Sequence, residues 1–522
     1  MVGIHPYPWT VIGTALLSVW LLALGCGCSR VAAAGASHTP FADARHMILF
    51  IGDGMHPAHE EAFSRYLTGT EKGLIWHQFP LQASVATWDV STYNHNAQHQ
   101  GVPPFKAETF DPVIGYDPHQ GGAERYPLHL AGSEAYFLAD RLATDSAAAA
   151  TAMATGHKTD AGNIAWAAGD PPDGAFNTIT ELMRQQRGSA IGVVSTVPII
   201  HATPAAFVSH NVSREHYFGA GHEELAAGIA EQIIRHSRPE VVIGGGHPDH
   251  NSKYLPRRLL AELASSDEYL LVARSSGVDG GKALMAGAQR AIVRQKKLFG
   301  LFGGPAGNFD PPRPLHQPGA PTLVAASIEN PTLTQATRAA LQRLAEDEDG
   351  FFLLVEQGDI DWANHSNDYA WMLGAMGDLH AAVEAAVAYV DLPGDRLNWD
   401  NTLLIVTSDH GNSYLRFNPN RPLAKGELPT PAEIARWDQE LSAGARVCYG
   451  TAGHTNELVG LYAKGLAAGL FRQYLGSWYP GTSILDNTQI FRVMKQFALD
   501  GPPQKPLAPR RGDSFPLPGL SP

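Results

Sequence analysis

The sequence predicts an α/β fold with a mostly parallel, doubly wound central sheet and helices on both faces. Two observations support this prediction. Continuous apolar runs recur along the chain, and strands that are apolar on both faces belong to a buried, mostly parallel sheet. Helical patterns lie between these runs, and such alternation is typical of doubly wound sheets. Ligands bind at the carboxyl ends of the strands in these sheets, so the residues that follow each run are candidates for a functional site.

The elements can be placed along the chain. Five apolar runs predict strands, at residues 46–51, 190–195, 240–243, 351–355 and 402–406. Four patterned segments predict helices, at residues 179–186, 225–236, 331–346 and 370–389. A further helix is expected at Ser146, because Asp145 and Ser146 are favoured at a helix start and the alanines behind them are the best helix formers. The Ser146 hydroxyl would then lie near unpaired backbone N–H groups, where an anion binds readily.

Composition limits the classes of function. The chain has 522 residues, 44% of them hydrophobic, and a net charge of −13. An acidic surface argues against nucleic acid as a specific partner, so an anionic substrate would have to be attracted by local cations. We expect one catalytic domain over residues 40–500, with insertions at 92–130 and 411–450, and a Pro-rich disordered tail at 501–522.

The two insertions differ in composition. Residues 92–130 are rich in His, Gln, Gly and Pro without any period, which favours a polar surface loop. Its histidines, His95, His99, His119 and His129, are too irregularly spaced to favour a metal site over that interpretation. Residues 411–450 separate His410 from His454 and are candidates for a cap over the site.

The N-terminal segment predicts export. Residues 11–28 are apolar and are followed by small residues, as in a signal peptide, although no Lys or Arg precedes Arg30. A transmembrane anchor is the alternative, but the run is short for a span. The sequence around Cys26 resembles a lipoprotein cleavage box, which leaves a lipid anchor there open. We therefore expect residues 1–30 to be a signal and the protein to be periplasmic, secreted or lipid-anchored at the cell surface. The chain has three cysteines, and Cys448 has no partner in the body of the protein, so no disulfide framework is expected.

Acidic and histidine residues cluster at the predicted strand ends. Asp53, Glu356 and the pair Asp409–His410 each follow an apolar run directly. Asp361 and His365 are spaced i, i+4, so on a helix they share one face and offer the oxygen and nitrogen ligands that suit Zn²⁺. Taken singly, each feature has an ordinary structural explanation, such as a helical ion pair or a tight turn. Their coincidence with a capped serine favours a metal-dependent site.

These motifs resemble those of the alkaline phosphatases, over about residues 45–215 and 350–495. The resemblance rests on Thr-Asp-Ser-Ala-Ala-Ala-Ala-Thr-Ala around Ser146, His-Ala-Thr-Pro-Ala-Ala at 201–206, Arg214, the segment from Glu356 to His365, Asp409–His410, and Gly-His-Thr around His454. It implies two zinc ions and one magnesium ion. The implied ligands are Asp361, His365 and His454 for the first zinc, Asp53, Asp409 and His410 for the second, and Asp53, Thr203 and Glu356 for magnesium.

The resemblance also implies a mechanism. Ser146 has no Gly-x-Ser-x-Gly elbow and no adjacent base, so it needs metal activation to attack phosphorus. Arg214 would bind two phosphate oxygens with its planar guanidinium. Nothing in the sequence selects the leaving group, so the expected substrates are small phosphate monoesters in general. The alternatives are a phosphodiesterase or sulfatase of the same superfamily and a non-catalytic protein that binds phosphate or metal; assembly as a homodimer is left open.

Two further residues are implied to contact the substrate or product, His201 and Trp362. Enterobacterial members of the family carry Asp and Lys at these positions, and this chain resembles some cold-active marine members there. Trp362 supplies an indole N–H instead of a positive charge, so weaker binding of phosphate is expected. His201 replaces an anionic partner near the magnesium, which should then be held less tightly.

Overall fold

The architecture is that of a computed structural model, which describes residues 45–499 apart from 124–131, 139–141, 220–226, 395 and 437–443. The predicted signal at 1–30, Cys26, His129 and the tail at 501–522 lie outside the described residues. The strands are, in chain order, β1 (His46–Gly52), β2 (Leu81–Ala86), β3 (Ala190–Pro198), β4 (Val241–Gly245), β5 (Tyr269–Ala273), β6 (Lys297–Leu301), β7 (Arg313–Leu315), β8 (Thr322–Val324), β9 (Phe351–Gln357), β10 (Thr402–Thr407), β11 (Gly411–Asn412), β12 (Leu415–Phe417), β13 (Ile434–Ala435), β14 (Val447–Tyr449), β15 (His454–Thr455), β16 (Val459–Gly465) and β17 (Ile484–Asp486).

The helices are, in chain order, α1 (Pro57–Thr68), α2 (Val90–Gln100), α3 (Pro112–Gly115), α4 (Pro118–Gly121), α5 (Glu134–Leu138), α6 (Ser146–Thr155), α7 (Ile179–Arg187), α8 (Ala202–Val208), α9 (Ile229–Glu231), α10 (Arg257–Ala264), α11 (Gly280–Val293), α12 (Leu333–Leu344), α13 (Asp359–His365), α14 (Tyr369–Val390) and α15 (Thr488–Leu499). Short 3₁₀ turns lie at Ile75–Gln78, Pro431–Glu433 and Ala468–Tyr474. In the described part of the chain, no helix is both long enough and apolar enough to cross a membrane.

Ten strands form the central sheet, in the order β17-β2-β16-β10-β1-β9-β3-β4-β6-β5. Only β16 runs antiparallel to its neighbours β10 and β2, and the other recorded pairings in this sheet are parallel. The predicted mostly parallel sheet is therefore confirmed. The five strands predicted from apolar runs correspond to β1, β3, β4, β9 and β10, which lie together near the middle of the sheet.

Helices cover both faces, and β1 shows why its sequence is continuously apolar. Met47, Leu49 and Ile51 contact the core beneath α6, α7, α8 and α15. Ile48 and Phe50 point the other way, into the core beneath α1, α11, α12 and α14. Successive strand residues face opposite sides, so a strand between two cores must be apolar at every position.

Two predicted segments differ from the structure. The helix predicted at 225–236 begins only at Ile229, continues as a π-helical turn over Gln232–Ser237, and ends where Arg238 adopts a φ of +40°. The segment 92–130 is not wholly a loop, because its first residues belong to α2, which Asp89 caps by accepting a hydrogen bond from the Thr92 amide at 2.6 Å. Buried and half-buried aromatic residues hold this segment in place, and their wide spacing gives no sequence period; they are Trp88, Tyr93, Phe105, Phe110 and Tyr116.

Candidate active site

Ser146 lies at the first position of α6, as the sequence predicts. Asp145 is the N-cap, and its Oδ1 accepts a hydrogen bond from the Ala148 amide at 3.0 Å. Every residue of α6 is buried, because the helix packs between the sheet and the helices α8 and α15. Ser146 itself is buried, with only 2% of the residue exposed. Its position is therefore fixed by the fold and not by a flexible loop.

The strand order explains why the other candidate residues meet Ser146. Strands β10, β1 and β9 are adjacent in the sheet and parallel. Asp53 follows β1, Glu356 lies near the end of β9, and Asp409 and His410 follow β10. Their side chains therefore converge at the carboxyl edge of the sheet, where ligands bind in this architecture.

One group of ligand-type atoms is formed by Asp361, His365 and His454. Asp361 and His365 lie on one face of α13, as their spacing predicts, with His365 Nε2 3.3 Å from Asp361 Oδ2. His454 Nε2 lies 3.4 Å from Asp361 Oδ1 and 3.1 Å from His365 Nε2. Strand β15, which pairs with β11 next to His410, brings His454 to this group.

The outer atoms of these histidines are fixed by backbone carbonyls. His365 Nδ1 lies 2.7 Å from the Ala452 carbonyl oxygen, and His454 Nδ1 lies 2.8 Å from that of Thr144. Each Nδ1 therefore carries the proton and donates it, which leaves the Nε2 lone pair free to bind a metal. Asn412 orients the carboxylate of the group, since its Nδ2 donates to Asp361 Oδ1 at 2.6 Å.

A second group consists of Asp53, Asp409 and His410. His410 Nε2 lies 3.3 Å from Asp409 Oδ2 and 3.5 Å from Asp53 Oδ1. The Ser146 hydroxyl points into this group, with its Oγ 3.2 Å from His410 Nε2 and 3.5 Å from Asp53 Oδ1. A cation held here would contact the serine oxygen directly.

A third group shares Asp53 with the second. Ligand-type atoms of Asp53, His201 and Glu356 lie within 4.8 Å of one another. Thr203, which the resemblance implies as a magnesium ligand, lies on α8 and is fully buried. The sequence predicts His201 only near the third metal. In the structure, a nitrogen of His201 lies within 4.8 Å of carboxylate oxygens of Asp53 and Glu356, so it could itself bind a metal ion.

Arg214 completes the site. Its Nη1 lies 2.9 Å from Asp145 Oδ2, and its Nη2 lies 3.2 Å from His201 Nε2. Trp362 lies on α13 with its ring 6.0 Å from that of His201 in an edge-on arrangement. A cleft of about 580 Å³ opens from these residues to solvent; it is lined by Ser146, His201, Arg214, Asp361, Trp362, His365, Ser366, Trp371 and His454.

Burial and crowding of like charges set the protonation of the second and third groups. Burial, together with the neighbouring carboxylates of Asp409, Asp361 and Glu356, raises the pKa of Asp53 well above its usual value. Burial also raises the pKa of Asp409 to about 6 and that of Glu356 to about 7. The three buried carboxylates repel one another when all are ionised. A bound cation would remove this repulsion, so the group should attract cations strongly.

The first group behaves differently. Burial alone would raise the pKa of Asp361, but His454 and His365 overcome it and hold that pKa well below its usual value. Conversely, burial would lower the pKa of His454, but Asp361 raises it to about 8. Burial and then Arg214 lower the pKa of His201 to about 3, so this imidazole is neutral and can accept or ligate.

The residues present fit divalent cations. The first two groups offer carboxylate oxygens and imidazole nitrogens, as zinc prefers, and the third is rich in oxygen. Among the described residues, the buried atoms Asp409 Oδ2, Glu356 Oε1 and Thr203 Oγ1 have no hydrogen-bond partner. Buried polar atoms rarely lack a partner. A cation in the second group would satisfy Asp409 Oδ2, and one in the third group would satisfy Glu356 Oε1 and Thr203 Oγ1.

Several contributors to the site are not evident from the sequence. Asp145 accepts a hydrogen bond from Arg214, and Asn412 orients Asp361. Ser366 and Trp371 line the cleft. The signal that could have pointed to Asp145 is its position directly before the candidate nucleophile. The others are polar or aromatic residues within eleven positions of a ligand, which is too common a pattern to single out.

Comparison with known proteins agrees with this geometry. The family model for alkaline phosphatase matches residues 115–421. Alkaline phosphatase 3 of Bacillus subtilis is 31% identical over 268 residues, which cover 51% of this chain and 49% of that protein. The alkaline phosphatase of Escherichia coli K12 is 32% identical over 297 residues, which cover 52% and 58% of the two chains. The chain thus spans about half the length of these curated relatives.

A longer match is to the streptomycin-6-phosphate phosphatase of Streptomyces griseus, 27% identical over 516 residues and covering 93% of this chain and 96% of that one. Among solved structures, the alkaline phosphatase of the Antarctic bacterium TAB5 is similar in fold, with a TM-score of 0.54 and 20% identity over 88% of this chain and all of that chain. A cold-active alkaline phosphatase from a psychrophilic Shewanella has a TM-score of 0.55 and 23% identity, over 87% and 99% of the two chains.

Proposed function

Because this chain belongs to the alkaline phosphatase family, we propose that it hydrolyses phosphate monoesters through a phosphoserine intermediate on Ser146. One observation carries the proposal: the Ser146 hydroxyl lies 3.2 Å from His410 Nε2 within a cleft that also holds Arg214. Nucleophile, ligand-type atoms and a phosphate-binding cation therefore share one space.

The chain's own residues would act in two steps. Ser146 releases its hydroxyl proton to solvent as its Oγ forms a bond to phosphorus and the bond to the leaving oxygen breaks. The leaving oxygen takes a proton from solvent, and the leaving group departs as an alcohol. Water then attacks the phosphoserine, which releases phosphate and restores the hydroxyl. Arg214 binds two non-bridging oxygens throughout, and Asp145 keeps the guanidinium in place.

We propose two zinc ions and one magnesium ion as the cofactors. Asp361, His365 and His454 would hold one zinc and Asp53, Asp409 and His410 the other, while Glu356, Thr203 and His201 would join Asp53 around magnesium. These cations would lower the pKa of a bound hydroxyl and neutralise charge that develops at phosphorus. Structures of two TAB5 variants, in which Asp or Glu replaces a histidine, are described with magnesium bound, which supports magnesium as the third ion.

Substrate comparison tests this function against its nearest alternatives. We expect p-nitrophenyl phosphate to be hydrolysed with a kcat/KM at least a hundredfold above those of bis-p-nitrophenyl phosphate and p-nitrophenyl sulfate, on the order of 3 kcal/mol in the barrier. A preference for the diester or the sulfate would assign the chain to another branch of the superfamily. No turnover of any of the three by metal-loaded protein would favour a non-catalytic binding protein.

We also propose that the protein is exported, on the basis of residues 11–28 alone. Mass spectrometry of the protein from its native host is expected to find a mature N-terminus near residue 27 or later. A diacylglyceryl group on Cys26 would establish a lipid anchor, and an intact cytoplasmic Met1 form would contradict export. Light scattering on the metal-loaded protein tests the homodimer.

A further inference from the structure

The outer wall of the cleft is built by the start of α14. Trp371 lies in the first turn of this helix, where its amide donates to the N-cap residue Asp368 at 2.9 Å. The indole is half-buried and packs against the apolar core beneath α12 and α14. It also lines the cleft that contains Ser146 and Arg214. Trp371 thus offers an aromatic surface that the core holds in place.

The turn before α14 ties this surface to the first group of ligand-type residues. Asn367 adopts a φ of +48°, and its Nδ2 donates to the Asn364 and Thr451 carbonyl oxygens at 2.9 and 3.0 Å. His365 Nδ1 bonds the neighbouring Ala452 carbonyl at 2.7 Å. The segments that position His365 and His454 therefore also fix the place of Trp371.

The direction of the reaction places the leaving group on this side. In an in-line displacement the leaving oxygen lies opposite the attacking oxygen. Ser146 Oγ points into the group of Asp53, Asp409 and His410. The opposite side of the phosphoryl group then faces Asp361, His365 and His454. Ser366 and Trp371 follow His365 in the chain and line the same cleft, so the rest of the leaving group passes along them.

The chemistry of this wall is aromatic and uncharged. Among the described residues, nine line the cleft, and of these Arg214 and Asp361 alone are Lys, Arg, Asp or Glu. Arg214 would bind the phosphoryl group, and Asp361 belongs to the first group of ligand-type residues, so neither is available to bind the leaving group. Beyond the phosphoryl end of the cleft, the leaving group therefore meets the Trp371 indole and the Ser366 hydroxyl. Planar rings stack on such a surface better than saturated chains of equal size.

We propose that Trp371 forms a subsite for planar aromatic leaving groups, so that the chain prefers arylmethyl and aryl phosphates to saturated alkyl phosphates; this inference rests on the proposed function. It differs from the broad leaving-group range that the sequence predicts. It also differs from the role of Trp362, which lies beside His201 at the phosphate end of the cleft.

A matched pair of substrates tests the subsite. Benzyl phosphate and cyclohexylmethyl phosphate both release primary alcohols and are similar in size, so their kcat/KM ratio reports ring recognition. We expect the metal-loaded wild-type protein to prefer the benzyl ester by about tenfold, since tenfold corresponds to 1.4 kcal/mol. Trp371→Leu keeps apolar bulk and should bring the ratio near one, mainly through the KM for the benzyl ester. Trp371→Phe should retain most of the preference.

The control is Trp399→Leu. Trp399 is a partly buried tryptophan that precedes β10, at the end of the sheet opposite the site. This variant should keep the wild-type ratio. Trp371→Phe keeps the test valid if Trp371→Leu does not fold, because a loss of preference in a folded Phe variant would contradict stacking. Equal kcat/KM values for the two esters in the wild-type protein would refute the subsite and leave the proposed function intact.

Binding provides a readout that needs no turnover. Benzylphosphonate should bind the metal-loaded wild-type protein about tenfold more tightly than cyclohexylmethylphosphonate in calorimetry, and Trp371→Leu should equalise the two. If neither ester is hydrolysed, the proposed function fails, and the phosphonate pair still decides whether Trp371 recognises an aromatic ring. Equal phosphonate affinities in the wild-type protein would overturn the inference.

Discussion

Asp145 Oδ2 accepts a hydrogen bond from Arg214 Nη1 at 2.9 Å. The other carboxylate oxygen of Asp145 accepts hydrogen bonds from the amides of Ala148 and Gly162, at 3.0 and 3.1 Å. Burial would raise the pKa of Asp145, but Arg214 and these amides hold it below its usual value. A single ionised carboxylate thus caps the helix that begins with Ser146 and orients Arg214, the proposed phosphate-binding residue.

Two substitutions of Asp145 should separate these tasks. Asp145→Asn keeps a capping oxygen but removes the charge, so we expect the inhibition constant for phosphate to rise about tenfold, the loss of about 1.4 kcal/mol in a charge-assisted bond. Asp145→Ala should show the same rise and also lose about 1 kcal/mol of unfolding free energy with the cap. Inhibition kinetics and chemical denaturation measure the two effects.

The control for this pair is Asp279→Asn, which alters a partly exposed N-cap on α11, outside the cleft-lining residues. It should leave phosphate inhibition unchanged. An unchanged inhibition constant in Asp145→Asn would show that Asp145 does not position Arg214.

Metal removal should abolish activity and lower thermal stability together. Burial, and then the neighbouring carboxylates, raise the pKa values of Asp53, Asp409 and Glu356. Cations that bind these groups in the folded chain stabilise it by mass action. Exhaustive chelation should remove turnover and lower the Tm, and zinc plus magnesium should restore both. His454→Ala should lower the zinc content, whereas the exposed His250→Ala should not. If elemental analysis shows that the protein is metal-free and it still has full activity, activity does not depend on a bound metal.

Trp362→Lys should strengthen product inhibition. Trp362 lines the cleft beside His201 and Arg214, and a lysine there would add a positive charge near the bound phosphate. The inhibition constant for phosphate is expected to fall several-fold to a hundredfold, alone and with His201→Asp, since 1.4 kcal/mol is tenfold. The double variant should also hold magnesium more tightly. If the constant is unchanged in both variants with all metals present, these positions do not set phosphate affinity.

A half-buried ion pair between His210 and Glu181 should make stability depend on pH. His210 Nε2 lies 2.9 Å from Glu181 Oε1. Burial would lower the pKa of His210, but Glu181 raises it above its usual value, and His210 in turn helps to lower the pKa of Glu181. The contribution of His210 is complete below its unfolded pKa of 6.5 and is lost as the pH rises through the folded value. That of Glu181 is present above 4.5 and is lost only in more acidic solution.

Glu181→Gln tests this pair, because glutamine still accepts the Thr178 amide that Glu181 binds at 2.9 Å. We expect the substitution to lower the unfolding free energy by about 1.5 kcal/mol at pH 6, in the range for hydrogen bonds to charged groups, and by much less at pH 9. Urea denaturation of metal-loaded protein at the two pH values measures the difference. The same loss at both pH values would contradict a protonated His210.

Much of the site follows from local sequence. The Ala-rich start of α6 places Ser146, the i, i+4 spacing places Asp361 and His365 on one face, and apolar runs place Asp53 and Asp409 at strand ends. Each of these statements depends on a period or a propensity within a few residues. The strand order β10-β1-β9 then brings these residues together, because adjacent parallel strands end at the same edge of the sheet.

Contacts between distant segments could not be predicted in this way. Asp145 meets Arg214 across 69 positions, and Asn412 meets Asp361 across 51, and no propensity specifies such pairs. Strand β16 escapes prediction because its small residues and lysine interrupt the apolar pattern, although its centre is buried between β10 and β2. The family resemblance supplied the expected roles of Arg214 and His454, whereas the contacts of these side chains with Asp145 and with the Thr144 carbonyl became visible only in the folded chain.

Trapping the phosphoenzyme shows directly whether Ser146 is the nucleophile. Metal-loaded protein is incubated with labelled phosphate, quenched in acid, digested and analysed by mass spectrometry. We expect a single phosphoserine at Ser146, absent from Ser146→Ala and retained in Ser276→Ala, which alters an exposed serine outside the cleft lining. Label on any residue other than Ser146, or full turnover by Ser146→Ala, would contradict this role of Ser146.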